Sequence, residues 1–121
     1  MTDTASHPPG RTQLELCGTA DVAVGTVIKV ERQGLELAVF NIDGEFYVTD
    51  DHCTHGPGLL SEGYIDGDIV ECNFHGGQYN IRTGAVVLPP CIIPVKTYPA
   101  VVRDGKVIIE IPAIRPSRPT I

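Results

Sequence analysis

Three observations predict an all-β fold, an antiparallel β-sandwich or barrel-like base. Asp-Gly recurs at 43–44, 66–67 and 104–105, each time between β-branched or aromatic residues, which is the strongest short-range hairpin signal. Thirteen glycines and ten prolines punctuate many short apolar runs along 121 residues, as in sandwiches and barrels. No window carries the 3.6-residue period of an amphipathic helix, and a single turn near Val22–Val24 is the most that fits.

Residues 1–11 read as an N-terminal arm. They are polar, contain Pro8, Pro9 and Gly10, and lack the apolar centre of a signal peptide. From Gln13 onward the pattern is strand, turn, strand. Val27–Glu31 and Leu35–Phe40 are separated by Arg32-Gln33-Gly34, and Asn41–Gly44 turns into Glu45–Thr49. A short hairpin is expected over Gly63–Glu71. Thr83-Gly84 separates the runs Gln78–Arg82 and Ala85–Val87, and Ala100–Arg103 pairs with Lys106–Ile111 as a last hairpin. Residues 112–121 contain three prolines and cannot continue a central strand, so they read as a C-terminal tail. The domain proper is expected over 12–111, with a smaller cluster-binding subdomain at about 50–90.

The length suits one domain with its own core. Nine Lys and Arg against fifteen Asp and Glu give a net charge of −6. That argues against nucleic acid and against an anionic membrane surface. No run approaches the roughly 18 apolar residues of a membrane span. The acidity concentrates between Asp50 and His75, in Asp50, Asp51, Glu62, Asp66, Asp68 and Glu71, with no Lys or Arg among them. This stretch is a solvated face or a docking surface for a basic partner. The expected location is the reducing cytoplasm, with Cys17 and Cys91 as small buried hydrophobes rather than a disulfide.

The chemistry sits in two strings, Cys53-Thr54-His55 and Cys72-Asn73-Phe74-His75, with sixteen residues between His55 and Cys72. Two thiolates and two imidazoles can hold a tetrahedral zinc or a [2Fe–2S] centre with Cys on one iron and His on the other. Zinc sites favour a knuckle or a short helix carrying the histidines. Here each string mixes Cys with His, and each is followed by glycines, at Gly56 and Gly58 and at Gly76 and Gly77. Such loops let backbone approach a bulky inorganic group and aim N–H groups at it. This setting favours the cluster. Leu88-Pro89-Pro90-Cys91 forms a third, stiff loop.

On these strings, and on Leu60–Cys72, His75–Tyr79, Arg82-Thr83-Gly84 and Leu88-Pro89-Pro90, the chain resembles the Rieske-type [2Fe–2S] ferredoxins of bacterial aromatic-ring-hydroxylating dioxygenase systems. The resemblance runs from about Leu14 to Ile111. It implies the Rieske fold, with Cys53 and Cys72 on the inner iron and His55 and His75 on the outer, solvent-facing iron. It implies a monomeric one-electron carrier rather than an enzyme. The carrier would accept electrons from a flavin-dependent NAD(P)H ferredoxin reductase and deliver them through transient docking to a terminal ring-hydroxylating oxygenase. Gly56, Pro57, Phe74, Pro89 and Pro90 would form the docking rim.

Rieske proteins of respiratory complexes differ by an extra Cys in each loop and a Ser donor to a sulfide. Neither is present here, which implies a potential near the low end of the Rieske range, about −150 mV. His75 is the last histidine, so no oxygenase iron site follows it, and there is no G-x-G-x-x-G fingerprint. His52 reads as a solvated loop residue. Alternatives are a Rieske subunit of another redox system, such as a nitrite reductase small subunit or a redox sensor, and a zinc-stabilised binding module.

Overall fold

A computed structural model describes residues 11–54, 57–73, 76–89 and 93–112. Strand β3 (Leu35–Ile42) organises the molecule. Its continuous run Leu37-Ala38-Val39-Phe40 has no polar face, the pattern of a strand covered on both sides. Side chains alternate across a strand. Leu37 and Val39 therefore enter one core, while Ala38, Phe40 and Ile42 enter another. Burying each large apolar side chain is worth about 2 kcal/mol relative to exposure.

Three antiparallel sheets surround these cores. The first orders β1 (Arg11–Gly18), β11 (Lys106–Pro112) and β10 (Ala100–Arg103). The second orders β2 (Thr26–Arg32), β3, β4 (Glu45–Asp50) and β9 (Thr97–Tyr98). The third, smaller sheet orders β5 (Tyr64–Asp66), β6 (Ile69–Glu71), β7 (Gln78–Asn80) and β8 (Val86–Leu88). Leu14, Leu16, Val107 and Ile109 of the first sheet pack with Val30, Leu37, Val39 and Val48 of the second. The other core joins β3 to Cys53, Leu60, Val70, Cys72, Tyr79 and Ile81. The second sheet thus carries the third on its back.

The hairpins form where the sequence expects them. Gln33-Gly34, Asp43-Gly44 and Asp104-Gly105 all have positive φ at both positions, as the twist-matched type I′ turn requires. The β5–β6 turn differs: its two residues are Gly67 and Asp68, with positive φ at Gly67 alone. Buried Asn41 is satisfied on both sides, with Oδ1 accepting from Gly44 N of its own turn at 2.9 Å and Nδ2 donating to Val22 O, before β2, at 2.8 Å. In β1 the register slips between Glu15 and Cys17. Arg32 reaches this bulge and donates to the carbonyls of Glu15 and Leu16.

Several boundaries depart from the sequence reading. Arg11 and Pro112, assigned to arm and tail, pair with each other at the ends of β1 and β11. The run expected over Gln78–Arg82 stops at Asn80, because Asn80 Oδ1 accepts from the amides of Arg82 and Thr83 and folds the chain into a turn. The following strand moves to Val86–Leu88. The turn near Val22–Val24 is instead a 3-10 turn at Thr19–Asp21, where Asp21 accepts from Gly18 N at 2.8 Å. Strand β9 was not expected, and nothing local marks it. Among the described residues, no helix is long and apolar enough to cross a membrane.

Candidate metal centre

The two strings become two loops of the same build. The amide of Cys53 donates to Gly58 O at 2.9 Å, and that of Cys72 donates to Gly77 O at 2.7 Å. Each loop is therefore closed by one bond from its cysteine to the glycine five residues on. Cys53 follows β4 and Cys72 follows β6, so the second and third sheets each hold one loop. Both thiols are buried, at 4% and 1% exposure. Cys17, Cys53 and Cys72 are not in disulfides. His55 and His75 lie outside the described residues, as do Gly56, Phe74, Pro90 and Cys91 of the expected rim and third loop.

The first loop is latched to the strand that leads into it. Asp51 is fully buried, and its carboxylate accepts from Ser61 N at 2.7 Å and from Ser61 Oγ at 3.0 Å. Leu60 N donates to Asp51 O, and His52 and Leu59 form a bridge one step nearer the loop. Lys29 Nζ stands 3.8 Å from Asp51 and 3.5 Å from Glu36. His52 is exposed as expected, yet its Nε2 lies 2.6 Å from Glu36 Oε1. That bond, then Lys29, holds the Glu36 carboxyl below its usual range.

Asn73 ties the loops together. Its Oδ1 accepts from Leu59 N at 3.0 Å, and its Nδ2 donates to Glu62 at 3.2 Å. Tyr79, fully buried in β7, places its hydroxyl 3.3 Å from Cys53 Sγ. The same hydroxyl accepts from Thr54 N at 2.9 Å and lies 2.6 Å from Thr54 Oγ1. Thr54 Oγ1 donates to Ile93 O at 2.8 Å, bringing the segment after the third loop against the first. Sequence reasoning missed Asp51, Ser61, Asn73 and Tyr79 as parts of the site. The one local signal was that Asp51 and Asn73 lie in or beside the ligand strings.

Much of the acidic stretch is paired internally. Asp51 is buried, Asp50 accepts from Tyr98, Asp68 pairs with Arg82 at 3.1 Å, and Glu71 accepts from Gln78. Arg82 also pairs with Glu45 and Tyr47 of β4, with its guanidinium 5.1 Å from the Tyr47 ring centre, and so ties the third sheet to the second. Cys17 is half-buried, and burial, then Asp21, raises its thiol pKa.

The donor set fits a [2Fe–2S] group. Two thiols are sunk in an apolar core at the feet of matched loops, and the loop backbone closes behind each. Cysteine sulfur is the soft donor that iron–sulfur clusters take. The His-bearing halves of both loops continue directly from these feet.

The Rieske [2Fe–2S] domain family matches residues 12–99. The ferredoxin CarAc of Metapseudomonas resinovorans is 42% identical over 97 residues, covering 79% of this chain and 91% of that protein. The biphenyl dioxygenase ferredoxin subunit of Pseudomonas sp. strain KKS102 is 43% identical over 95 residues, covering 78% and 87%. Among solved structures, the Sphingomonas yanoikuyae B1 ferredoxin matches with a TM-score of 0.80 at 49% identity, over 84% of this chain and 100% of that one. The complex of reduced oxygenase and oxidized ferredoxin in carbazole 1,9a-dioxygenase contains a chain matching with a TM-score of 0.76 at 42% identity, over 80% of this chain and 91% of that one. This chain belongs to the Rieske [2Fe–2S] family, among the ferredoxins of aromatic-ring dioxygenase systems.

Proposed function

We propose that the protein carries single electrons from a flavin-dependent NAD(P)H ferredoxin reductase to a terminal ring-hydroxylating oxygenase, as the electron-transfer component of the system rather than its catalyst. The observation that carries this reading is the pair of matched loops with buried cysteines, in a chain of this family. A relative of the same kind has been solved in complex with its oxygenase. Cys53 and Cys72 would hold the inner iron, and His55 and His75 the outer. When bound, the cluster supplies a site that stores and releases one electron at a potential set by its surroundings.

The chain's own residues do the rest. Asp51 with Ser61 braces the first loop, and Asn73 with Leu59 fixes the second loop against it. Leu60, Val70 and Tyr79 keep water from the sulfur side. Exposed Pro57, Leu88, Pro89 and Ile93 lie on or beside the loops and form an apolar rim for docking. Glu62, exposed and bonded to Asn73 of the second loop, adds negative charge to this tip. Partner encounters would be brief and salt-sensitive, through a small interface. The protein would act as a monomer in the cytoplasm, with a potential near the low end of the Rieske range, about −150 mV.

The test is spectroscopic. Purified protein reduced with dithionite should give a Rieske-type EPR signal with two irons per chain. Cys53→Ser, Cys72→Ser, His55→Ala and His75→Ala should each abolish it. A colourless protein with stoichiometric zinc would overturn the reading. Electron transfer from a flavin-dependent reductase to an oxygenase should depend on adding this protein and should slow as salt rises.

A further inference from the structure

We propose that Gly63 is a positioning residue that sets where Cys72 stands relative to Cys53, through contact of backbone with backbone. The inference rests on the reading of both cysteines as cluster ligands. Gly63 has φ −89° and ψ −166°, close to the extended backbone that other residues adopt. Glycine is therefore not required there for its conformation. It is required for space. A Cβ at this position would overlap Glu71 O, and would stand 3.2 Å from Glu71 C and 3.3 Å from Leu60 O. All three are backbone atoms, so none can rotate aside as a side chain would. Clearing the Glu71 carbonyl takes a shift of about 1 Å.

Short routes run from this contact to both cysteines. On one side Gly63 N donates to Leu60 O at 3.0 Å, and Leu60 N donates to Asp51 O at 2.7 Å. Asp51 lies just before His52 and Cys53. Asp51 and Leu60 are both fully buried, so this side is held in place. On the other side Glu71 directly precedes Cys72 and ends β6, a strand of three residues. Asn73 holds the same two segments together further along, through Leu59 N and Glu62. Residues 59–63 thus form an edge against which 71–73 are laid. A methyl group at Gly63 presses on Glu71 O, and the half-buried strand end at Glu71 is the side that yields. Cys72 moves with it, while Cys53 stays with Asp51. The two sulfurs assigned to the inner iron then lose their spacing.

Gly63→Ala in the full-length, cluster-loaded protein tests this. Its control is Gly67→Ala in the same β5–β6 hairpin, where φ is +61° but a Cβ meets nothing within 4 Å. That control strains the turn and leaves the spacing of the cysteines alone. Iron release to a chelator should be about tenfold faster in Gly63→Ala, as when a group supporting metal ligands is lost. The EPR signal of the reduced variant should show shifted g values. Gly67→Ala should match the unsubstituted protein in both readouts. Should Gly63→Ala assemble no cluster, Asn73→Ala carries the test in its place, since it loosens the same two segments without a clash. Its g values should then shift while those of Gly67→Ala do not. Loaded Gly63→Ala with unchanged g values and release rate would overturn the proposal, as would unchanged g values in the substitute Asn73→Ala. A change in Gly67→Ala equal to that in either variant would overturn it too. Unsubstituted protein without a Rieske EPR signal would overturn the underlying ligand assignment instead.

Discussion

The fully buried carboxylate of Asp51 accepts two hydrogen bonds from Ser61, from its amide at 2.7 Å and its hydroxyl at 3.0 Å. This contact brackets the first loop from outside its own Cys53–Gly58 closure. Asp51→Ala would leave both Ser61 donors without their acceptor and Lys29 with only Glu31 and Glu36. A loss of about 3 kcal/mol in unfolding free energy is expected. Asp51→Asn keeps the size and one acceptor, and should lose roughly half as much. Urea midpoints of the loaded proteins check this, and the m-value should stay constant.

Asn73 joins the second loop to the first through Leu59 N and Glu62. Asn73→Ala removes both bonds at an exposed site, so global stability should fall by about 1 kcal/mol. The larger effect should be local. Iron release to a chelator, read by loss of visible absorbance, should speed up because the loops separate more easily. Asn73→Asp should also release iron faster, since its new carboxylate would repel Glu62.

Gly84 has φ +81°, and a Cβ there would stand 2.3 Å from Val95 O. Val95 N donates to Gly84 O at 3.0 Å, so the two backbones cannot move apart without breaking that bond. Gly84→Ala combines a strained backbone with a steric clash and should destabilise by about 2–4 kcal/mol. Gly44→Ala shares the positive φ but meets nothing within 4 Å, so about 1 kcal/mol is expected there. Thermal melts of the two variants separate the clash from the strain.

The Tyr98 hydroxyl donates to Asp50 Oδ1 at 2.6 Å. Burial, then this bond, pushes the phenol pKa well above its ordinary value of 10.0. The folded state therefore holds the proton more tightly than the unfolded chain does. The stability this contributes is complete below about pH 10 and declines as pH rises further. Tyr98→Phe should cost about 1 kcal/mol near neutral pH. It should also remove much of the stability lost between about pH 9 and about pH 11. Denaturant unfolding at the two pH values measures both effects.

The hairpins and loops were legible because their causes are local. Asp43-Gly44 and Asp104-Gly105 carry the positive φ of their turns within two residues. The loops 53–58 and 72–77 are each closed by their own cysteine and glycine. Strand β9 was not legible, since two residues become a strand there through pairing with Val48 and Thr49. The end of β7 was misjudged because the Asn80 side chain competes with the ladder for the next amides. The acidic stretch looked like one charged face, yet Asp51 turns inward and Asp68 meets Arg82.

Spacing and turn chemistry act over a few residues, so the family, the all-β class and the two cysteine loops follow from the chain's order of residues. What surrounds Cys53 does not follow from it. Tyr79 reaches Cys53 from 26 residues away, and Ile93 reaches Thr54 from 39. No local rule relates such residues. Their meeting depends on how β3, buried on both faces, sets one sheet on the back of another.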